Sequence, residues 1–140
     1  MAIEKLYYLG PEGSYGHKVA KRVFPSQQDV SYESVKMQTD ICALVDKTPR
    51  CVGIVAIENT INGIVSESVL SIERQSRRRL RVVAEADEQV EFFLYAHPNC
   101  DPTLVNTISG HQFALAQTRS NLQKVIQALN LKVNLQFRQR

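Results

Sequence analysis

The run CVGIVAI, Cys51 to Ile57, limits the possible folds of this chain more than any other segment. The run is almost entirely apolar, which is typical of a strand that is buried on both faces at the centre of a parallel sheet. Parallel strands are joined by crossover connections, and these connections are usually helices. The run therefore predicts an α/β fold.

Strand and helix signals alternate on either side of this run and support that prediction. Before it, KLYYLG indicates a strand, and SYGHKVAKRVF indicates a helix with Ser14 as its N-cap residue. DVSYES then indicates a short strand, and Met37 to Val45 has apolar residues at helical spacing. After the run, Ile64 to about Arg78 predicts a third helix.

The pattern changes near Arg79, where strand-like runs follow one another closely. This change predicts a boundary between two lobes, with residues 1–78 in the first lobe and residues 79–140 in the second. The elements predicted after the boundary are two strands at Val82-Val83 and Val90 to Tyr95, a strand in NTISGHQ, a helix from Ala114 to Leu129 and a last strand in KVNLQF.

Composition excludes several classes of protein. No run approaches the roughly 18 apolar residues of a membrane helix, and the N-terminus MAIEKLYYLGPEG has no apolar signal region. The three cysteines form no CxxC pair, which is typical of reduced thiols. We therefore expect a cytoplasmic protein that binds no membrane. Three histidines at unrelated spacings do not predict a metal site.

The net charge of +3 is concentrated in RQSRRRLR, Arg74 to Arg81. A nucleic-acid interface is one interpretation, but the run has no interleaved aromatic residues and no DNA- or RNA-binding signature around it. The alternative is a solvated helix end whose basic side chains lie near the negative end of the helix dipole. We adopt the second interpretation and expect no nucleic-acid partner.

Polar residues recur where predicted strands end and predicted helices begin. The three turns of this kind are Leu9 to Gly16, Glu58 to Gly63 and Ser109 to Gln117. The first turn matches neither a dinucleotide fingerprint nor a P-loop. Backbone N–H groups at such turns favour anions. If the three turns converge on one cleft, they suit a ligand with more than one carboxylate.

A purely structural interpretation of these residues stays open. Asn59 and Thr60 can cap the helix that follows them, and His111 can be an N-terminal helix residue whose side chain is satisfied by backbone.

Taken together, three segments resemble the prephenate dehydratase family. YLGPEGSYGHKVA resembles the family's LGPxGTFSxxAA, VGIVAIENTINGIVSES its GVVPIENSIEGSVxET, and GHQFALAQTRSNL its SHPQALAQCRxWL. The order and spacing of the segments also agree. The resemblance implies a two-lobed α/β domain like type 2 periplasmic binding proteins, with the active site in the cleft between the lobes.

The resemblance also implies a reaction, in which prephenate is converted to phenylpyruvate with loss of carbon dioxide and the ring hydroxyl. No metal or organic cofactor takes part. The hydroxyl leaves best when a proton or a hydrogen bond is donated to it. Carried over residue by residue, the family pattern assigns catalysis to Asn59 and Thr60 and substrate binding to Gly13, Ser14, Glu58, Gly63, His111, Ala114 and Leu115.

The sequence also departs from the family pattern. Gln112 and Phe113 replace a Pro-Gln pair, and Phe92 stands where the family often has His. No Thr-Arg-Phe string occurs, although its threonine is the family's leading candidate for protonating the leaving hydroxyl. We therefore expect an incomplete second lobe, weak or no dehydratase activity, and a homodimer or larger homo-oligomer.

Two other functions stay open at this point. A non-aromatising prephenate decarboxylase also lacks the Thr-Arg-Phe threonine, and a non-catalytic binder of an aromatic or dicarboxylate metabolite needs no proton donor.

Overall fold

The computed structural model describes residues 2–25, 30–76 and 80–137. The chain divides into two compact units, Met1–Val90 and Glu91–Arg140. The lobe boundary predicted between residues 78 and 79 falls on residues outside the described ranges, and it stays a prediction.

Unit one is built on a parallel sheet with β1 in its middle. Its strands are β1 (Lys5–Leu9), β2 (Ser31–Val35) and β3 (Cys51–Ile54), in the order β2-β1-β3. Leu6 pairs with Tyr32 on one side and with Val52 on the other. Because side chains alternate along a strand, Leu6 and Tyr8 face one side of the sheet and Tyr7 faces the other. All three are buried.

Helices α1 (Tyr15–Val23) and α2 (Gln38–Lys47) cover opposite faces of this sheet. Ala20 of α1 packs in the cluster formed by Leu6 and Tyr8, which Val52 and Ile54 of β3 extend. On the other face, α2 lies so close to β3 that a Cβ at Gly53 would be 2.4 Å from Ile41 Cγ2. The absence of a side chain at Gly53 therefore sets how closely α2 approaches the sheet.

The position of β3 corrects one prediction. The run Cys51 to Ile57 was expected to be a central strand, but within the described residues β3 ends at Ile54 and lies at the edge of the sheet. The helices that contact both faces of β3 account for the apolar residues of the strand itself. Burial of the two faces does not determine how many neighbours a strand has in its sheet.

A short hairpin and a third helix follow β3. Strands β4 (Glu58–Asn59) and β5 (Gly63–Ile64) pair antiparallel, with Glu58 opposite Ile64. Helix α3 (Ser66–Ser76) then packs against α2, and the hydroxyl of Ser71 donates to the carbonyl of Thr39 at 3.2 Å. The hairpin had been expected only as a turn.

The strands predicted at Val82-Val83 and Val90 to Tyr95 are wrong, because residues 80–101 contain no strand or helix. Apolar residues alone do not make a strand, since its N–H and C=O groups need a partner strand. Instead, an acidic part of this segment is held by α1. Glu88 pairs with Lys18 at 2.5 Å and with Arg22 at 2.9 Å.

Unit two contains the β-α-β sequence predicted for it. After a short 3-10 turn at Pro102–Leu104 come β6 (Thr107–Gly110), α4 (Gln112–Ala128) and β7 (Asn134–Phe137), with β6 and β7 parallel. The core consists of Ile108, Leu115 and Leu122, against which Val105, Ile126 and Val133 pack. Val125 and Leu129, which belong to the predicted apolar stripe, are 37% and 48% exposed.

In the part of the chain that the structure describes, no helix is both long and apolar enough to cross a membrane.

Glu88 should make folding depend on pH. The hydrogen bond from Lys18, with the charges of Lys18 and Arg22, lowers the pKa of the Glu88 carboxyl. A carboxyl with a lowered pKa stabilises the fold above its unfolded pKa of about 4.3 and loses that contribution as pH falls through its folded pKa. Replacing Glu88 with Gln should therefore reduce the loss of stability between pH 6 and pH 3, measured by urea unfolding.

The matched control is Glu85→Gln, which removes a carboxylate from the same exposed segment. Equal pH profiles for the two variants would show that the Glu88 ion pairs do not stabilise the fold.

Candidate functional site

The first predicted turn forms the N-terminus of α1, and Ser14 caps that helix as expected. The Ser14 hydroxyl oxygen accepts from the backbone N–H of His17 at 3.3 Å, and its proton is donated to the carbonyl of Leu9 at 2.8 Å. A hydroxyl has one proton. Ser14 therefore cannot donate to a ligand unless it breaks its bond to the end of β1.

Two glycines shape the same turn. Gly13 has φ +83°, a conformation that side chains disfavour, and its N–H donates to His17 Nδ1 at 3.0 Å. At Gly16, a Cβ would lie 2.9 Å from the carbonyl oxygen of Leu9. The helix thus begins directly against the end of β1, and its first N–H groups have no acceptor within the helix.

His17 is the residue of this turn that sequence analysis missed. Its imidazole is buried and stacks on the ring of Tyr8, with ring centroids 4.9 Å apart and an interplanar angle of 13°. The available signal was its position three residues after Ser14, where the acceptor side chain of a capping box lies.

The second turn is the β4–β5 hairpin, and Asn59 closes it. The Asn59 side-chain oxygen accepts from the N–H groups of Ile61 at 2.9 Å and Asn62 at 3.2 Å. Asn59 thus stabilises its own hairpin. Gly63 supplies a positive φ of 74°, and Thr60 is exposed at the hairpin tip. Glu58 is exposed as well.

The third turn is the N-terminus of α4, where His111 is the N-cap residue. Its Nδ1 accepts from the N–H of Phe113 at 3.4 Å, which agrees with the structural interpretation left open above. Leu115 is buried in the core of unit two, so its side chain is occupied by packing. Ala114 is half-buried, and its carbonyl accepts from the hydroxyl of Thr118 at 2.8 Å.

The predicted site residues divide between the two units. Gly13, Ser14, Glu58, Asn59, Thr60 and Gly63 belong to unit one, and His111, Ala114 and Leu115 belong to unit two. That the three turns face one ligand stays a prediction. Among the described residues, no three His, Cys, Asp or Glu side chains are placed to hold a metal ion.

An open groove of about 450 Å³ lies between the end of β2 and α2, apart from these turns. None of its lining residues is a predicted site residue: they are Val35, Lys36, Asp40, Ala43, Leu44 and Lys47.

Comparison with known proteins identifies the family. The family model described as prephenate dehydratase matches residues 6–134, a range that contains all three polar turns. The chain belongs to the prephenate dehydratase family.

Individual prephenate dehydratases agree with this assignment. The chain is 32% identical over 120 residues to the prephenate dehydratase of Lactococcus lactis subsp. lactis (strain IL1403). The match covers 86% of this chain and 40% of that protein. A match to arogenate dehydratase 5, chloroplastic, of Arabidopsis thaliana is 23% identical and covers 86% of this chain and 27% of that protein. The chain therefore spans less than half the length of these relatives.

The crystal structure of the prephenate dehydratase from Staphylococcus aureus subsp. aureus Mu50 has the same fold. Its TM-score to this chain is 0.64 at 20% identity, over 94% of this chain and 47% of that one. The predicted α/β fold class, like that of periplasmic binding proteins, is confirmed.

Ser14 should contribute to stability through its cap. Replacing a Ser N-cap with Ala typically costs about 1 kcal/mol. We expect Ser14→Ala to lower the free energy of unfolding by about that amount, while Ser14→Thr keeps the hydroxyl and most of the stability. Urea unfolding measures both variants. Equal stability of Ser14→Ala and the unmodified chain would show that the cap is not a significant contact.

Proposed function

We propose that this protein binds prephenate and converts it to phenylpyruvate, with loss of water and carbon dioxide, in phenylalanine biosynthesis. The observation that carries the proposal is the match of the prephenate dehydratase family to residues 6–134, which includes each polar turn. The named activity of the Lactococcus lactis relative supports the same substrate. Prephenate has two carboxylates, which suit the N–H groups at the start of α1.

In this reaction the bond between the ring and its carboxylate breaks, and carbon dioxide leaves. The electron pair of that bond enters the ring, the ring becomes aromatic, and the hydroxyl at the opposite carbon leaves as water after taking up a proton. A positioned acid speeds such a departure by about 10² to 10⁴-fold. The side chain that supplies the proton therefore decides whether the bound substrate reacts.

Unit one contains two candidate side-chain hydroxyls, those of Ser14 and Thr60, and the hydroxyl of Thr60 is the better proton donor. The Ser14 hydroxyl already donates a hydrogen bond to the Leu9 carbonyl, whereas the side chain of Thr60 is exposed at the hairpin tip. Asn59 closes the hairpin by accepting from the N–H of Ile61, and this bond fixes the backbone around Thr60. We assign donation to the leaving hydroxyl to Thr60.

A non-catalytic binder of an aromatic or dicarboxylate metabolite is the second candidate. It is favoured by the use of Ser14 and of the Asn59 oxygen in bonds within the chain. Incubation with prephenate separates the possibilities by product. Absorbance of phenylpyruvate in alkali indicates the dehydratase. Release of carbon dioxide with formation of a non-aromatic product indicates the decarboxylase, and unchanged prephenate with measurable binding indicates the binder.

Thr60 is tested by two substitutions. Thr60→Val keeps the shape and removes the hydroxyl, so phenylpyruvate formation should fall by about 10²-fold or more. Thr60→Ser keeps the hydroxyl and should keep most of the rate. Prephenate affinity, measured by calorimetry, should change little in either variant. An unchanged rate in Thr60→Val removes Thr60 from the mechanism.

We also propose a cytoplasmic homodimer or larger homo-oligomer. Free thiols at Cys42, Cys51 and Cys100 suit a reducing compartment. Large apolar side chains are exposed in unit two, with Phe93 at 67%, Tyr95 at 84% and Phe137 at 66%. Exposed apolar surface of this kind favours association between copies.

Sedimentation velocity at several protein concentrations tests the association. We expect a species of at least twice the chain mass of 15.8 kDa. A single 15.8 kDa species at every concentration contradicts the proposal.

A further inference from the structure

His17 is a buried titratable side chain to which the proposed mechanism gives no role. Its side chain lies at the first turn of α1 and is only 7% exposed. Its Nδ1 accepts from the N–H of Gly13 at 3.0 Å, so that nitrogen carries no proton. One face of the ring stacks on Tyr8, and Tyr32 approaches at an angle of 68° with centroids 6.3 Å apart.

Ser14 and His17 hold the turn reciprocally. The Ser14 hydroxyl accepts from the N–H of His17, and the His17 side chain reaches back to accept from the N–H of the residue before Ser14. A capping box is similar, except that its Glu or Gln accepts from the N–H of the N-cap residue itself. Here the Ser14 N–H donates to the carbonyl of Pro11 at 3.1 Å instead. Here the side chain that reaches back is also anchored in the core by its stack on Tyr8.

This contact matters because Gly13 has no side chain to restrain its backbone. A glycine at φ +83° has no neighbour within 4 Å of where a Cβ would lie, and glycine occupies several backbone conformations at similar energy. The bond to His17 selects one orientation of the Glu12–Gly13 peptide. The backbone at the start of α1 is thereby held in one arrangement before any ligand binds.

We propose that His17 is a positioning residue for prephenate: by accepting from Gly13 through Nδ1, it preorganises the Gly13–Ser14 turn and so sets substrate affinity. This inference rests on the function proposed above. Preorganisation strengthens binding because the turn need not be ordered when the ligand arrives. The imidazole acts through the turn and touches no reacting atom.

Two substitutions at His17 separate positioning from packing. His17→Phe keeps an aromatic ring to stack on Tyr8 and removes the acceptor. His17→Asn keeps an acceptor oxygen near the position of Nδ1 and removes most of the ring. Three quantities are measured on the full chain: the dissociation constant for prephenate by calorimetry, the hydrogen exchange rate of the Gly13 amide by NMR, and the thermal unfolding midpoint.

We expect His17→Phe to weaken prephenate binding about tenfold, which corresponds to the loss of one hydrogen bond. The Gly13 amide should exchange faster while the unfolding midpoint stays close to that of the unmodified chain. His17→Asn should lower the unfolding midpoint but keep the binding and the slow exchange. The matched control is His97→Phe, since His97 Nδ1 also accepts from a backbone amide, that of Asn99, at an exposed turn of unit two. It should leave binding unchanged.

The reverse pattern overturns the inference. If His17→Phe binds as tightly as the unmodified chain while His17→Asn loses binding, His17 acts only by packing. If the unmodified chain does not bind prephenate, the proposed function fails, and the exchange rates of the Gly13 amide in the two variants still decide whether His17 holds the turn.

Discussion

Strand β1 is the constraint on which unit one depends. Its two faces contact different helices, since Leu6 and Tyr8 pack with Ala20 of α1 while α2 packs on the other face. Its two edges pair with β2 and β3, so the strand has a neighbour on each edge as well as on each face. The carbonyl of its last residue, Leu9, then accepts a hydrogen bond from the hydroxyl of Ser14. The start of α1 is therefore fixed directly by the end of the central strand.

The polar turn residues have a structural role. Ser14, Asn59 and His111 were identified as candidate ligand contacts, and each of them makes a hydrogen bond that holds its own turn. A side chain used in this way offers less to a ligand than its type suggests. In the function proposed above, the turn at the start of α1 serves binding through its backbone N–H groups, which need no reordering when an anion arrives because they are held in fixed directions.

The sequence predicted local structure well where a pattern has one physical cause. Ser14 before an amphipathic segment marked the start of α1, and the stripe of Leu115 and Leu122 marked α4. It failed where pairing over a distance decides the result. Cys51 to Ile54 is apolar because helices cover both its faces, yet the strand lies at the sheet edge, and residues 90–95 look strand-like but pair with no strand among the described residues.

The candidate site shows the same limit at the level of single side chains. Motif matches located the three turns but could not show that the Ser14 hydroxyl already donates a hydrogen bond to the carbonyl of Leu9. They also passed over His17, because its bond to the Gly13 N–H and its stack on Tyr8 form only in the folded chain, where strand β1 lies beside α1.

Unit two has a different physical problem, which is a small core. Ile108, Leu115 and Leu122 are its buried apolar residues among those described, while Phe93, Tyr95 and Phe137 remain largely exposed. A unit of this size buries too small a share of its apolar surface to be more than marginally stable by itself. The homo-oligomer proposed above would add stabilising contacts to this unit by covering its exposed aromatic side chains, since each ring removes a large apolar area from water. The exposed aromatic residues thus link the stability of unit two to the proposed assembly.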